Sequence, residues 1–170
     1  MQYLKEYKKD IVFVIVVIIL FFIFSNNVAI LHIKGDSMYP TYEDGNILFL
    51  KKDKSISNKD LVVLSSPESW GSYEKSFIKR IIAQEGDVIT IDDNKVIVNN
   101  ETPINLKREY CQSSEKFTFT LDKGQYFVLG DNVMESNDSL TQYCIGNEDF
   151  LINEENLIIH GKELFLLGGM

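Results

Sequence analysis

At 170 residues the chain is long enough for one compact domain plus an anchor, and its apolar share is ordinary once one very apolar stretch is set aside. The formal net charge of -8 argues against nucleic acid as a partner, because binding a phosphate backbone needs a clustered excess of Lys and Arg that the sequence lacks. Two histidines, His32 and His160, and two cysteines, Cys111 and Cys144, stand at no metal-ligand spacing, which argues against a zinc enzyme.

In chain order, residues 1–10 carry Lys5, Lys8 and Lys9, and residues 11–27 open with IVFVIVVIILFFIF, a run without a polar residue. With its flanks this run approaches the roughly 20 residues of a membrane-spanning helix. The segment after Phe24 lacks small residues at a cleavage offset, so an uncleaved anchor is favoured over a removed signal peptide or a buried core helix. The preceding lysines put the N-terminus in the cytoplasm and residues 28–170 outside. A disulfide between Cys111 and Cys144 can persist there, and two buried thiols fit the sequence equally well.

Past the anchor, short apolar runs bounded by turn residues predict a mostly β catalytic domain with no long amphipathic helix. The predicted strands are Val28 to Ile33, Asn46 to Leu50, Leu61 to Leu64, Ser76 to Gln84, Val88 to Ile91, Lys95 to Val98, Phe117 to Leu121 and Tyr126 to Leu129. Asp92, Asp93 and Asn94 predict a hairpin between the fifth and sixth. Residues at about 99–116 read as a polar surface excursion. The loop around Trp70 is a second one, its indole either packed or dipping into the membrane interface. Lys51, Lys52 and Lys54 are interrupted by Asp53 and read as a solvated loop.

Two segments carry chemistry. Gly35-Asp36-Ser37-Met38-Tyr39-Pro40-Thr41 can expose the Ser37 hydroxyl beneath backbone N–H groups, although an ordinary turn in which the serine caps its own backbone has the same spacing. A serine needs a base, and neither histidine has the acid companion of a conventional triad. On the strand from Ser76 to Ile82, alternation puts Phe77, Lys79 and Ile81 on one face and Arg80 on the other. A lysine buried among apolar side chains is pushed toward its neutral form and can accept a serine proton, whereas a lysine at a strand edge would reach solvent.

Together these segments resemble the type I bacterial signal peptidases, membrane-anchored Ser/Lys proteases that remove signal peptides from exported proteins. GDSMYPT at 35–41 is similar to the family's nucleophile box and implies Ser37 as nucleophile. IKRIIAQEGD at 78–87 is similar to the box with the general base and implies Lys79; NKDLVVL, VIVNNETPI and LDKGQYFVLGDN follow the family's order. In GDNVMESNDS at 130–139 the resemblance implies that Ser136 holds the lysine by a hydrogen bond and that Asp138 is an orienting carboxylate. Val133 and Leu140 stand where the family usually has arginines, which leaves Arg80 as the expected partner of Asp138. Gly35 stands where some relatives have a hydroxyl donor, so the Ser37 N–H is expected to serve the oxyanion.

The substrate implied is an extended signal peptide added as a strand beside Val28 to Ile33, with Leu31, Ile33, Met38 and Ile78 as pocket walls. The implied partners are exported pre-proteins and membrane lipid, and no cofactor is implied. Two other readings share the scaffold: a noncatalytic membrane-anchored β module, and a self-cleaving Ser/Lys repressor. The latter would carry a DNA-binding domain where this chain has its apolar span.

Overall fold

A computed structural model describes residues 7–71, 76–92, 95–101, 104–105 and 116–168. The apolar run forms helix α1 (Lys8–Asn27), none of whose residues is buried. Every side chain of the run therefore faces the surroundings, as suits a helix whose solvent is lipid rather than a protein core. It runs without a break into strand β1 (Val28–His32), and the Lys52 ammonium donates to the Ser25 carbonyl at 3.1 Å, tying the helix end to the domain.

The chain continues through β2 (Ile47–Lys52), β3 (Leu61–Ser65), β4 (Ser76–Ala83), β5 (Val88–Asp92), β6 (Lys95–Val98), β7 (Ile104–Asn105), β8 (Phe117–Thr120) and β9 (Gln125–Leu129). Helix α2 (Ser139–Cys144), β10 (Ile152–Asn153) and β11 (Leu157–Leu167) complete it. A seven-stranded sheet has the order β1-β2-β11-β3-β4-β9-β10, and a four-stranded sheet the order β7-β6-β5-β8. The mostly β expectation is met, and each predicted strand is present to within two residues at either end.

The long strand β11 was not among the predicted strands, yet it sits between β2 and β3 in the larger sheet. Its burial does not alternate and its register shifts twice, which erases the period of two on which strands are recognised. Gly161 lies in its middle because the Lys51 carbonyl occupies the space a Cβ would need.

β5 and β6 pair antiparallel with Asp92 opposite Lys95, as expected for the hairpin; Asp93 and Asn94 lie outside the described residues. The expected surface excursion is partly regular, since β7 pairs with β6, and residues 106–115 lie outside the described residues. Cys144 is disulfide-bonded, and Cys111 also lies outside them. Trp70 is buried rather than interfacial: it packs against Phe77 and its indole N–H donates to the Asp149 carbonyl at 2.9 Å. That bond satisfies the one polar group a buried indole has.

Candidate active site

The segment between β1 and β2 is closed at its base by hydrogen bonds from Ile33 N–H to the Asn46 carbonyl and from Gly45 N–H to the Ile33 carbonyl. Within it Gly35 has φ +72°, a conformation that favours glycine, and donates its N–H to Asp44 Oδ1 at 2.7 Å. The Tyr39–Pro40 bond is cis. Met38 and Tyr42 turn inward and are buried, which pins the segment to the core and leaves Ser37 at the groove. Tyr42 donates its hydroxyl to Glu163 Oε2 on β11 at 2.6 Å. Burial and then the Glu163 contact raise the tyrosine above its usual range, outweighing the nearby Arg80, so it stays protonated and remains a donor.

The alternation expected of β4 is observed: Phe77, Lys79 and Ile81 are buried and Arg80 lies on the other face. Lys79 is only 1% exposed and donates to Ser37 Oγ at 3.0 Å and to the Ile78 carbonyl at 3.1 Å. The two residues are 42 positions apart, and the fold brings them into hydrogen-bond contact. The Lys79 nitrogen lies 5.2 Å from the centre of the Phe77 ring, a contact that favours the charged amine by about 0.5–2 kcal/mol. Burial acts in the opposite sense, since removal from water disfavours a charged amine.

The expected pairing of Asp138 with Arg80 is not observed. Arg80 grips Asp131 through both oxygens, at 2.9 and 2.7 Å, and donates to the Lys59 carbonyl at 2.9 Å. The Asp131 bonds, acting against partial burial, hold the guanidinium above its usual range. Asp138 is fully buried as the N-cap of α2, accepting from the Thr141 N–H and from the Gly130 N–H, each at 3.0 Å. Backbone donors on both oxygens offset the cost of burying this carboxylate. The positions of the two missing arginines are used for packing: Leu140 is 1% exposed in a core cluster, and Val133 packs against that cluster.

Ser136 departs from expectation as well. Its hydroxyl makes no hydrogen bond to Lys79; it is buried against Gly130, beside the Ser37 carbonyl, with no partner among the described residues. Two residues not singled out from sequence complete the arrangement. Asn132 donates its backbone N–H to the Ser37 carbonyl at 3.0 Å and its side chain to the Asp36 carbonyl at 2.9 Å. Gly130 lets Ser136 and the Ser37 backbone meet where a side chain would intervene. Both stand in the GDN stretch whose resemblance was noted, so the motif carried the signal although the roles did not.

Ser37 and Lys79 open onto a groove of about 400 Å³ whose lining includes all four expected walls, Leu31, Ile33, Met38 and Ile78. β1 forms one bank and is an edge strand of the larger sheet, with β2 as its sheet neighbour. The Ser37 N–H donates to no acceptor among the described residues.

The chain is similar in sequence to known proteins. The family model described as "Signal peptidase, peptidase S26" matches residues 4–162. The chain is 30% identical over 145 residues to signal peptidase I U of Bacillus subtilis, covering 75% of this chain and 73% of that one. It is 32% identical over 125 residues to signal peptidase I V of the same organism, covering 63% and 71%. Among solved structures, a signal peptidase I from Enterococcus faecalis V583 is similar at 21% identity and TM-score 0.40, over 61% of this chain and 94% of that one.

Proposed function

The chain belongs to the signal peptidase family, peptidase S26, whose activity is the removal of signal peptides from exported pre-proteins, and we propose that it does so with Ser37 as nucleophile and Lys79 as general base. The observation that carries this reading is the 3.0 Å contact between the two in a setting where Lys79 is buried. A lysine kept from water and touching one hydroxyl is arranged to take that hydroxyl's proton.

In the first half-reaction the neutral Lys79 amine accepts the Ser37 proton as Oγ attacks the scissile carbonyl, and the unengaged Ser37 N–H donates to the resulting oxyanion. The intermediate collapses as the ammonium returns its proton to the leaving amine. A water, activated by the same amine, then hydrolyses the acyl ester and frees Ser37. The substrate lies extended along the free edge of β1, adding backbone hydrogen bonds there and filling the wall of Leu31, Ile33, Met38 and Ile78 with small side chains.

α1 anchors the enzyme in the cell membrane, N-terminus in the cytoplasm and residues 28–170 outside, where the disulfide of Cys144 persists. Protease added to intact spheroplasts should digest the large domain; its protection would reverse this orientation. The noncatalytic alternative drew on Val133 and Leu140, and both residues have a packing role instead.

The test is cleavage of a pre-protein by Ser37→Ala and Lys79→Ala variants that remain folded and membrane-bound. Each should lose activity on the order of 10⁴-fold, and the double variant should lose little more. Substantial activity in either single variant would remove that residue from the mechanism.

A further inference from the structure

The chain has 25 acidic residues against 17 Lys and Arg, yet among the described residues no carboxylate lines the groove beside Ser37. Its titratable lining groups are His32, Lys34 and Lys79. Lys79 is buried and engaged with Ser37, whereas Lys34 is exposed and forms no salt bridge among the described residues. Asp36 and Asp44 on the same segment as Ser37 lie outside the lining, and Asp44 is committed to the Gly35 N–H.

Strand geometry says which part of a substrate meets this charge. Along β1 and its extension Ala29, Leu31 and Ile33 turn inward, while Ile30, His32 and Lys34 face outward and are exposed. A peptide added to the β1 edge alternates in the same way, and cross-strand neighbours share a face. Substrate residues that fill the apolar wall thus alternate with residues whose side chains run beside His32 and Lys34. If the residue bearing the scissile carbonyl points into the wall, the residue immediately before it points outward.

We propose that Lys34, with His32 beside it, makes this groove select substrates with an acidic side chain at the position immediately preceding the residue that bears the scissile carbonyl. The inference rests on the Ser37/Lys79 reading, and it names a preference that the apolar wall does not supply. An exposed ion pair in a concave site has a modest effect, about two- to five-fold in kcat/KM, and is weakened by salt.

The experiment uses the full chain in detergent and three fluorogenic peptides differing only in Glu, Gln or Lys at that position. The wild type should cleave them in the order Glu, Gln, Lys, with about two- to five-fold between Glu and Gln. Lys34→Glu should reverse the order, and high salt should flatten both series. Loss of a merely structural lysine would lower all three rates together and keep their order. A flat series in the wild type, or the same order persisting in Lys34→Glu, overturns the proposal. A Ser37→Ala control separates the two layers: cleavage by that variant defeats the nucleophile assignment, while an inactive control beside a flat wild-type series defeats the charge preference alone.

Discussion

Replacing Gly130 by alanine adds one methyl group at the most crowded point of the site. Its Cβ would overlap the Ser136 hydroxyl, the Ser136 Cβ and the Ser37 carbonyl oxygen. The serine side chain can rotate away in part, but the Ser37 carbonyl is backbone and is held by the Asn132 N–H at 3.0 Å. The strain must therefore be relieved by moving the nucleophile's own peptide. Overpacking of this kind costs about 1–3 kcal/mol, or roughly 3 °C of Tm per kcal/mol for a domain of this size. Activity should suffer more than stability, because a displacement on the order of 1 Å at a reacting group costs about 100-fold. The assay is peptide cleavage and thermal unfolding on the same preparations. Adding Ser136→Ala to Gly130→Ala should recover part of the stability and little of the activity, since the backbone overlap remains. Near-wild-type kcat in Gly130→Ala would refute the claim that this contact sets the position of Ser37.

Tyr42→Phe removes the hydroxyl's bond to Glu163, and because Glu163 is exposed and regains water the loss should be about 1 kcal/mol, read as a lowered urea midpoint with unchanged m-value. Asp87 gives a pH prediction: partial burial raises its pKa, but donation from the Gln84 N–H, Asn99 and Asn58 outweighs this and holds it below the ordinary value. A carboxyl whose folded pKa is depressed contributes stability that is present above its unfolded pKa and lost as pH falls through the folded one. Asp87→Asn should accordingly be less stable at neutral pH and lose less on acidification below about pH 4, where unfolded aspartate titrates; equal acid sensitivity in urea titrations would contradict the cited bonds.

Local features alone determined several parts of this protein. The run from Ile11 to Phe24 reads as an apolar helix with no polar face, best suited to lipid, with a buried core helix or a removed signal peptide as the alternatives. The alternation through Phe77, Lys79 and Ile81 put the lysine on the buried face because a strand has a side-chain period of two. Partners distant along the chain were a different matter. Arg80 could have met Asp138 or Asp131, and only the pairing of β4 with β9, which sets Arg80 opposite Leu129, brought the GDN loop and Asp131 within its reach. Asp138 found its compensation in the backbone of α2 and of Gly130, donors that exist only once the loop is folded. β11 likewise lacks a readable period because its bulges and Gly161 answer to β2 and β3 on either side of it. Side-chain period and apolar run length are properties of a segment, legible in one dimension. Which polar groups satisfy one another depends on which segments become neighbours, and that was decided only when burial removed water as the alternative partner.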